Sequence, residues 1–360
     1  MANRDLSGIG RPKLRAWLAQ SGHERWEHEL WTWLYRRGGR DFAGLAAFQL
    51  PGDLIERLRS EATVGRLPVE LRHRSADGTE KWLVVLEGGH RIESVFIPGR
   101  ERGTLCVSSQ VGCTLTCRFC HTGTQPLARN LTAAEIVGQV LVARDLLGEW
   151  GLPSAAPRRL TNIVFMGMGE PFYNYEGVAA AIQILSDDAG LALSKRRITI
   201  STSGIVPAMR QARAELGVNL TVSLHAARDA VRNEIMPINR KYPLAELMQA
   251  CREYQGASHS RRILFAYTML DGINDSDADA RDLLQLLADF PAKVNLIPFN
   301  PWPGAPYSPT PLDRIRAFQR ILNDAGMLAQ IRYTRGDDIL AACGQLKTAT
   351  PRRSEETASN

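Results

Sequence analysis

No stretch of this 360-residue chain approaches the roughly 18 consecutive apolar residues that a membrane span requires. The opening Met-Ala-Asn-Arg-Asp-Leu-Ser-Gly carries no apolar export core. The sequence therefore predicts a cytoplasmic protein with no membrane partner. Cysteine is scarce: there are six, and four of them (Cys106, Cys113, Cys117 and Cys120) crowd together while Cys251 and Cys343 stand apart. So few thiols, so unevenly placed, exclude a disulfide framework and point to metal binding or catalysis. Neither sign of charge dominates, with 44 Lys and Arg against 38 Asp and Glu. The resulting +6 is a weak pointer to a polyanionic partner. A hydrophobic content of 44% is that of an ordinary folded protein, with disorder expected only at the ends.

Four segments follow from the patterning. In residues 1–65, Leu14, Trp17 and Leu18, then Leu30, Trp31 and Leu34, recur at helical spacing, and Gly38-Gly39 is a stop signal. This predicts a helical accessory domain; its interleaved Trp and Arg residues would suit RNA binding. Residues 66–98 hold three β-type runs, Val69–Arg74, Lys81–Glu87 and Arg91–Ile97, separated by the turn signals Asp77-Gly78 and Gly88-Gly89. They predict a small antiparallel β-hairpin element in which Glu93 shares an apolar face with Val95 and Ile97. Residues 99–346 alternate six short apolar runs with amphipathic helices, the signature of an α/β fold with a parallel sheet. Six units predict an open, partial (β/α)6 barrel with its active-site loops at the strands' carboxyl ends. The polar segment 347–360 reads as a disordered tail.

The chemistry concentrates after the first barrel strand. Cys113, Cys117 and Cys120 form a C-x₃-C-x₂-C run in a polar loop with Gly112, Arg118 and His121. Three soft ligands without a local fourth suit a [4Fe–4S] cluster with one open iron, whereas structural zinc wants four ligands. An open iron needs a chelator, which the amino and carboxylate groups of S-adenosylmethionine (SAM) can supply. Sequence candidates for holding it lie at successive strand ends: the Gly-x-Gly turn with Glu170 in Met166-Gly-Met-Gly-Glu-Pro171, then Ser201-Thr-Ser-Gly204, Ser223-Leu-His225, and Asn300. The Gly-x-Gly turn is no dinucleotide fingerprint, because Phe172 stands where a third glycine belongs. Cys251, inside a helical pattern, reads as a small buried hydrophobe.

These blocks, with Ser108-Ser-Gln-Val-Gly-Cys113, Pro237-Ile-Asn239, Asn295-Leu-Ile-Pro298 and Arg335-Gly-Asp-Asp338 leading into Ala341-Ala-Cys-Gly344, resemble the radical SAM RNA adenine methyltransferases over about residues 70–346. The chain departs from that pattern at His23-Glu-Arg-Trp-Glu-His-Glu-Leu30, where the family's first helices carry a Phe-Arg-Ala segment. The resemblance implies that Cys113, Cys117 and Cys120 bind the cluster and that Gly169, Glu170, Ser201, Ser223, Leu224, His225 and Asn300 bind SAM. It implies that Cys343 carries the methyl group, that Cys106 resolves the product as a disulfide with Cys343, and that Glu93 accepts a proton.

The implied reaction is methylation of adenine at C2, in the peptidyl-transferase centre of 23S rRNA and 3′ of the anticodon in tRNA, by a monomer. It consumes two SAM molecules per turnover, one as methyl donor and one as radical source, and draws its electron from a reductase or a flavodoxin-type protein. The related C8-methylating enzymes of antibiotic resistance are the nearest alternative, and a zinc-stabilised RNA-binding protein is the remote one.

Overall fold

The computed structural model describes residues 4–151, 157–255, 263–288 and 290–348. Ten strands form one sheet in an order that follows the chain. The first three, Val69–Arg74 (β1), Glu80–Val85 (β2) and Arg91–Ile97 (β3), are antiparallel. The other seven are Gly103–Cys106 (β4), Leu160–Phe165 (β5), Ile198–Thr202 (β6), Asn219–Ser223 (β7), Ile263–Met269 (β8), Ala292–Pro298 (β9) and Leu328–Ile331 (β10). These seven run parallel, each beside its predecessor. With β1 and β10 at its two ends the sheet stays open, as expected of a partial barrel.

Two features differ from the sequence expectation. The β element is not a separate unit, because β3 pairs antiparallel with β4 (Val95 opposite Cys106, Ile97 opposite Thr104) and so continues the barrel sheet. A seventh parallel strand, β10, closes the series; only four residues long and largely exposed, it offers too little alternation to be read from sequence.

The predicted crossover helices form at Ala133–Leu146, Tyr175–Ser186, Val206–Glu215, Leu244–Gln255, Asp277–Leu286 and Leu312–Asp324. Thr132 caps the first: its Oγ1 accepts from the Glu135 N–H while Glu135 Oε2 accepts from the Thr132 N–H, and Ser276 with Asp279 repeats the device. A further short helix, Asp229–Ile235, lies outside the sequence expectation.

The N-terminal helices Arg11–Ala19, Glu27–Arg36 and Gly52–Glu61 form as expected, and their buried side chains belong to the same core as the barrel. Trp31 donates through Nε1 to Asp187 and Tyr35 through its hydroxyl to the Ser7 carbonyl. Trp17, Trp31 and Trp33 are buried, so stacking on RNA bases is closed to them. The tail expectation is corrected at its start: Thr348 is buried, exchanging bonds with Gln125 and donating to the Arg91 carbonyl, and the Lys347 amide donates to Glu93. Residues 349–360 lie outside the described residues.

Candidate active site

Parallel strands with right-handed crossovers bring their carboxyl-terminal loops to one rim. There, a cavity of ≈ 160 Å³ is lined by Cys113, Cys117, Cys120, Gly169, Glu170, Ser201, Ser223, His225, Asn300 and Cys343. Of the predicted SAM contacts only Leu224 is absent from this wall; it is fully buried, and its backbone N–H donates to Ala266. Cys106 lines an adjoining cavity together with Cys343, Asn300 and Arg332. Glu93 lines neither: its two oxygens face the Lys81 ammonium at 3.0 Å and the Lys347 amide at 3.0 Å.

Backbone geometry fixes the cysteine loop. Gly112 sits at φ +77°, where a Cβ would lie 2.1 Å from the Pro126 carbonyl oxygen, and the Cys113 amide donates to Gln125 O across the return of the loop. Cys120 N–H donates to Cys117 O, the His121 amide donates to Gly344 O at 2.7 Å, and the His121 ring stacks on Trp302 at 4.6 Å. Burial pushes all three thiols up, Cys113 to about 12. Burial outweighs the Arg232 charge near Cys117, and buried thiolates are costly, so this pocket suits a group that brings further positive charge. Among the described residues no three or more His, Cys, Asp or Glu side chains close on a single ion. Three thiols from one loop spread around a cavity, with the Cys343 thiol entering the wall from a distant loop, suit a polynuclear cluster held by the loop cysteines.

Opposite the cysteines, Glu170 is buried, accepting from Ser203 N at 2.8 Å and Phe172 N at 3.1 Å. Burial raises its pKa above the carboxylate norm, and the remaining lone pairs have no cation. An ammonium entering the cavity would supply one. Gly169, at φ +101°, lets the chain pass against Gln110, whose side chain a Cβ would strike at 2.5 Å. His225 holds a left-handed backbone (φ +56°), and its Nδ1 accepts from Thr268 N at 2.9 Å. Burial, with Arg232 adding to it, pushes its pKa down to about 3, so the ring is neutral and Nε2 carries the proton.

Asn300 is committed to the Cys343 loop: Nδ2 donates to the Cys343 carbonyl and Oδ1 accepts from Thr334. That loop is bent through left-handed residues at Gly336, Leu340 and Gly344 and held from the β1–β2 side. Asp77 accepts from Gly336 N and pairs with Arg335, while Lys81 donates to Leu340 O. Cys106 and Cys343 are both free thiols, so the expected disulfide is not present; the resemblance assigns it to the product, not to the resting chain. Burial raises Cys106 to about 12. Cys251 is buried in the core as expected.

Sequence reasoning missed two arginines. Arg232, fully buried on the short helix Asp229–Ile235, donates to the carbonyls of Leu224, Ser203 and Ser223 and to Asn239 Oδ1, tying the exits of β6 and β7 together. Its partner Asn239 lies in the Pro-Ile-Asn block, the one available signal. Arg332, just beyond β10, lines both cavities, and its pKa is raised chiefly by Cys343 and, after the cost of burial, by Cys106.

Comparison with known proteins agrees with this geometry. The family model described as the Radical SAM superfamily matches residues 107–284. The chain is 57% identical to the dual-specificity RNA methyltransferase RlmN of Rhodospirillum rubrum, with 96% of this chain and 80% of that protein aligned. Identity to RlmN of Acidiphilium cryptum is 55%, covering 96% of this chain and 89% of that one. The crystal structure of a radical SAM methyltransferase from Sphaerobacter thermophilus matches with a TM-score of 0.89 and 42% identity, covering 96% of this chain and 99% of the other.

Proposed function

The chain belongs to the RlmN family of radical SAM RNA methyltransferases, and from that membership we propose that it methylates C2 of adenine in 23S rRNA and in tRNA through a methyl group carried on Cys343. One observation carries the reading: Cys343, more than two hundred positions beyond the cysteine loop, lines the same cavity as Cys113, Cys117 and Cys120. A radical enzyme that only abstracts hydrogen from a protein partner needs no such thiol.

Cys113, Cys117 and Cys120 would hold a [4Fe–4S] cluster, with Glu170 and the Gly169 turn facing the amino group of SAM, and Ser201, Ser223, Leu224, His225 and Asn300 completing its site. When bound, these groups supply the methyl and the one-electron chemistry, with two SAM molecules spent per turnover. The protein's part is placement. Asn300 holds the Cys343 carbonyl, Arg332 offers positive charge beside the Cys343 sulfur, and a thiolate there is the competent nucleophile. Cys106, which lines the adjoining cavity together with Cys343, would take the Cys343 sulfur from the modified base. Glu93, which burial holds above the usual carboxylate range, would accept the C2 proton once the Lys347 amide withdraws. The adenine must leave its stack to reach this rim. A reductase or flavodoxin-type electron donor and a monomeric state complete the proposal.

The test is mass spectrometry of adenosines from 23S rRNA and tRNA treated anaerobically with reconstituted protein, SAM and reductant. 2-Methyladenosine in both RNAs is the expected result. An 8-methyl product, or modification of neither RNA, would overturn it.

A further inference from the structure

The end of the sheet opposite the active-site rim carries a concentration of charge that the mechanism does not use. Three neighbouring parallel strands are each entered through a basic loop. Arg100 and Arg102 precede β4, Arg158 and Arg159 precede β5, and Lys195, Arg196 and Arg197 precede β6. All seven side chains are exposed, and none forms an ion pair among the described residues. Other arginines do pair with carboxylates, Arg11 with Glu27, Arg66 with Asp145, Arg129 with Glu135 and Arg228 with Asp279. Here the bonds are to neutral groups only, Arg158 to the Leu191 carbonyl and Arg197 to Asn162 Oδ1, while Arg159 lies over the Phe96 ring. Arg100, Arg102, Arg158 and Arg159 surround a surface cavity in which, among the described residues, Glu101 is the sole carboxylate.

Like charges gathered without counter-ions repel one another, and a polyanion relieves that repulsion. Arginine's planar fork matches phosphate oxygens in pairs. Neighbouring strands lie about 4.8 Å apart, so three loops spread the cations over about 10 Å before side-chain reach is added, a span suited to several phosphates rather than one. At about 3.3 Å per residue, the six residues of β5 separate this edge from the cysteine rim by about 20 Å. An adenine at the rim and phosphates at this edge therefore do not belong to adjacent nucleotides.

We propose that the basic edge formed by the loops entering β4, β5 and β6 is a second RNA-docking surface, which holds the phosphate backbone of folded RNA away from the base being modified. Its partner rests on the RNA methyltransferase reading; its location does not.

The test measures affinity of the anaerobically reconstituted protein against salt, from about 50 to 200 mM, for full-length deproteinised 23S rRNA and for a stem-loop too short to span both ends of the sheet. The R100S/R102S/R158S/R159S protein and, separately, the K195S/R196S/R197S protein should lower the steepness of log K against log salt for the long RNA by about one for each phosphate no longer neutralised. Binding of the stem-loop should not change. The R100K/R102K/R158K/R159K protein should keep most of the slope, which separates missing charge from a damaged fold. An unchanged slope with the long RNA, or an equal decrease with the stem-loop, would overturn the proposal. The two readings fail apart: reduced slopes without any methyladenosine would leave the docking edge and remove the methylation reading, and methylation with unchanged slopes would do the reverse.

Discussion

Asn300 donates through Nδ2 to the backbone carbonyl of Cys343 at 3.0 Å, fastening the exit of β9 to the loop that presents the outlying thiol. The same side chain accepts from Thr334 through Oδ1, so both halves of the amide take part in placing that loop. Replacing Asn300 by Ala leaves a half-buried carbonyl unpaired, which costs about 1–3 kcal/mol. The expected outcome is a loss of that size in urea unfolding together with slower appearance of S-methylcysteine at position 343. Unchanged stability and loading would show that the loop is held without it.

Glu170 faces the cavity from a buried position with two backbone N–H donors and no cation. In the Glu170→Gln protein the amide oxygen still accepts one of those bonds, but the charge that would meet an ammonium is gone. A charged hydrogen bond is worth about 1.5–3 kcal/mol, so SAM should bind about ten- to a hundredfold more weakly while the cluster absorbance persists. Anaerobic calorimetry on reconstituted protein reads the difference, and equal affinity would remove Glu170 from the SAM site.

The barrel is legible in the sequence because its signals are local and repeated: each strand is a short apolar run, each helix an amphipathic one, and parallel order then forces the loops to one rim. The three-cysteine spacing lies in one loop and needs no tertiary information. What the sequence does not reveal depends on distant contacts. Arg232 reads as one more charged residue in a short helix, and only the fold shows it buried against three carbonyls. Trp17 and Trp31, at helical spacing, fit a small helical bundle better than a stacking platform without excluding the latter, and burial decides for the core. Leu346, Lys347 and Thr348 give no local sign of being held, because their partners Thr122, Glu93 and Gln125 lie more than two hundred positions away.

Glu93 and Lys81 set a pH dependence with a definite sign. Burial raises the Glu93 pKa and Lys81 pulls it back down, so the folded value lies above the ordinary 4.5. A buried acid of this kind favours the folded state while protonated. That advantage is fully present below the unfolded pKa and lost as pH rises through the folded one. Proton acceptance requires the opposite, ionised form, so turnover should fall on the acid side at a pH above 4.5. Removing the ammonium in Lys81→Met should move the acid limb to still higher pH, whereas Glu93→Gln should abolish proton removal without abolishing methyl loading of Cys343. Rate profiles of RNA methylation from about pH 5 to 9 for the three proteins check this, and an acid limb that Lys81→Met leaves in place would separate Lys81 from the reaction.

Cys343 and Cys106 are both free thiols on the wall of one cavity, yet their substitution should fail in different ways. Cys343→Ala removes the methyl carrier, so no S-methylcysteine peptide, no methylated RNA and no covalent complex should form. Cys106→Ala leaves loading of Cys343 and addition to the base possible, but removes the sulfur that would take Cys343 away from the RNA. The intermediate should then persist as RNA joined to Cys343 through a carbon–sulfur bond. On a denaturing gel it should appear as a shifted band that nuclease collapses and reducing agent leaves intact, since reduction cleaves disulfides and not thioethers. Were the Cys106→Ala protein to turn over normally, or an adduct to form in the Cys343→Ala protein, the two thiols would not hold these roles, even with the cluster loop and the SAM site assigned correctly.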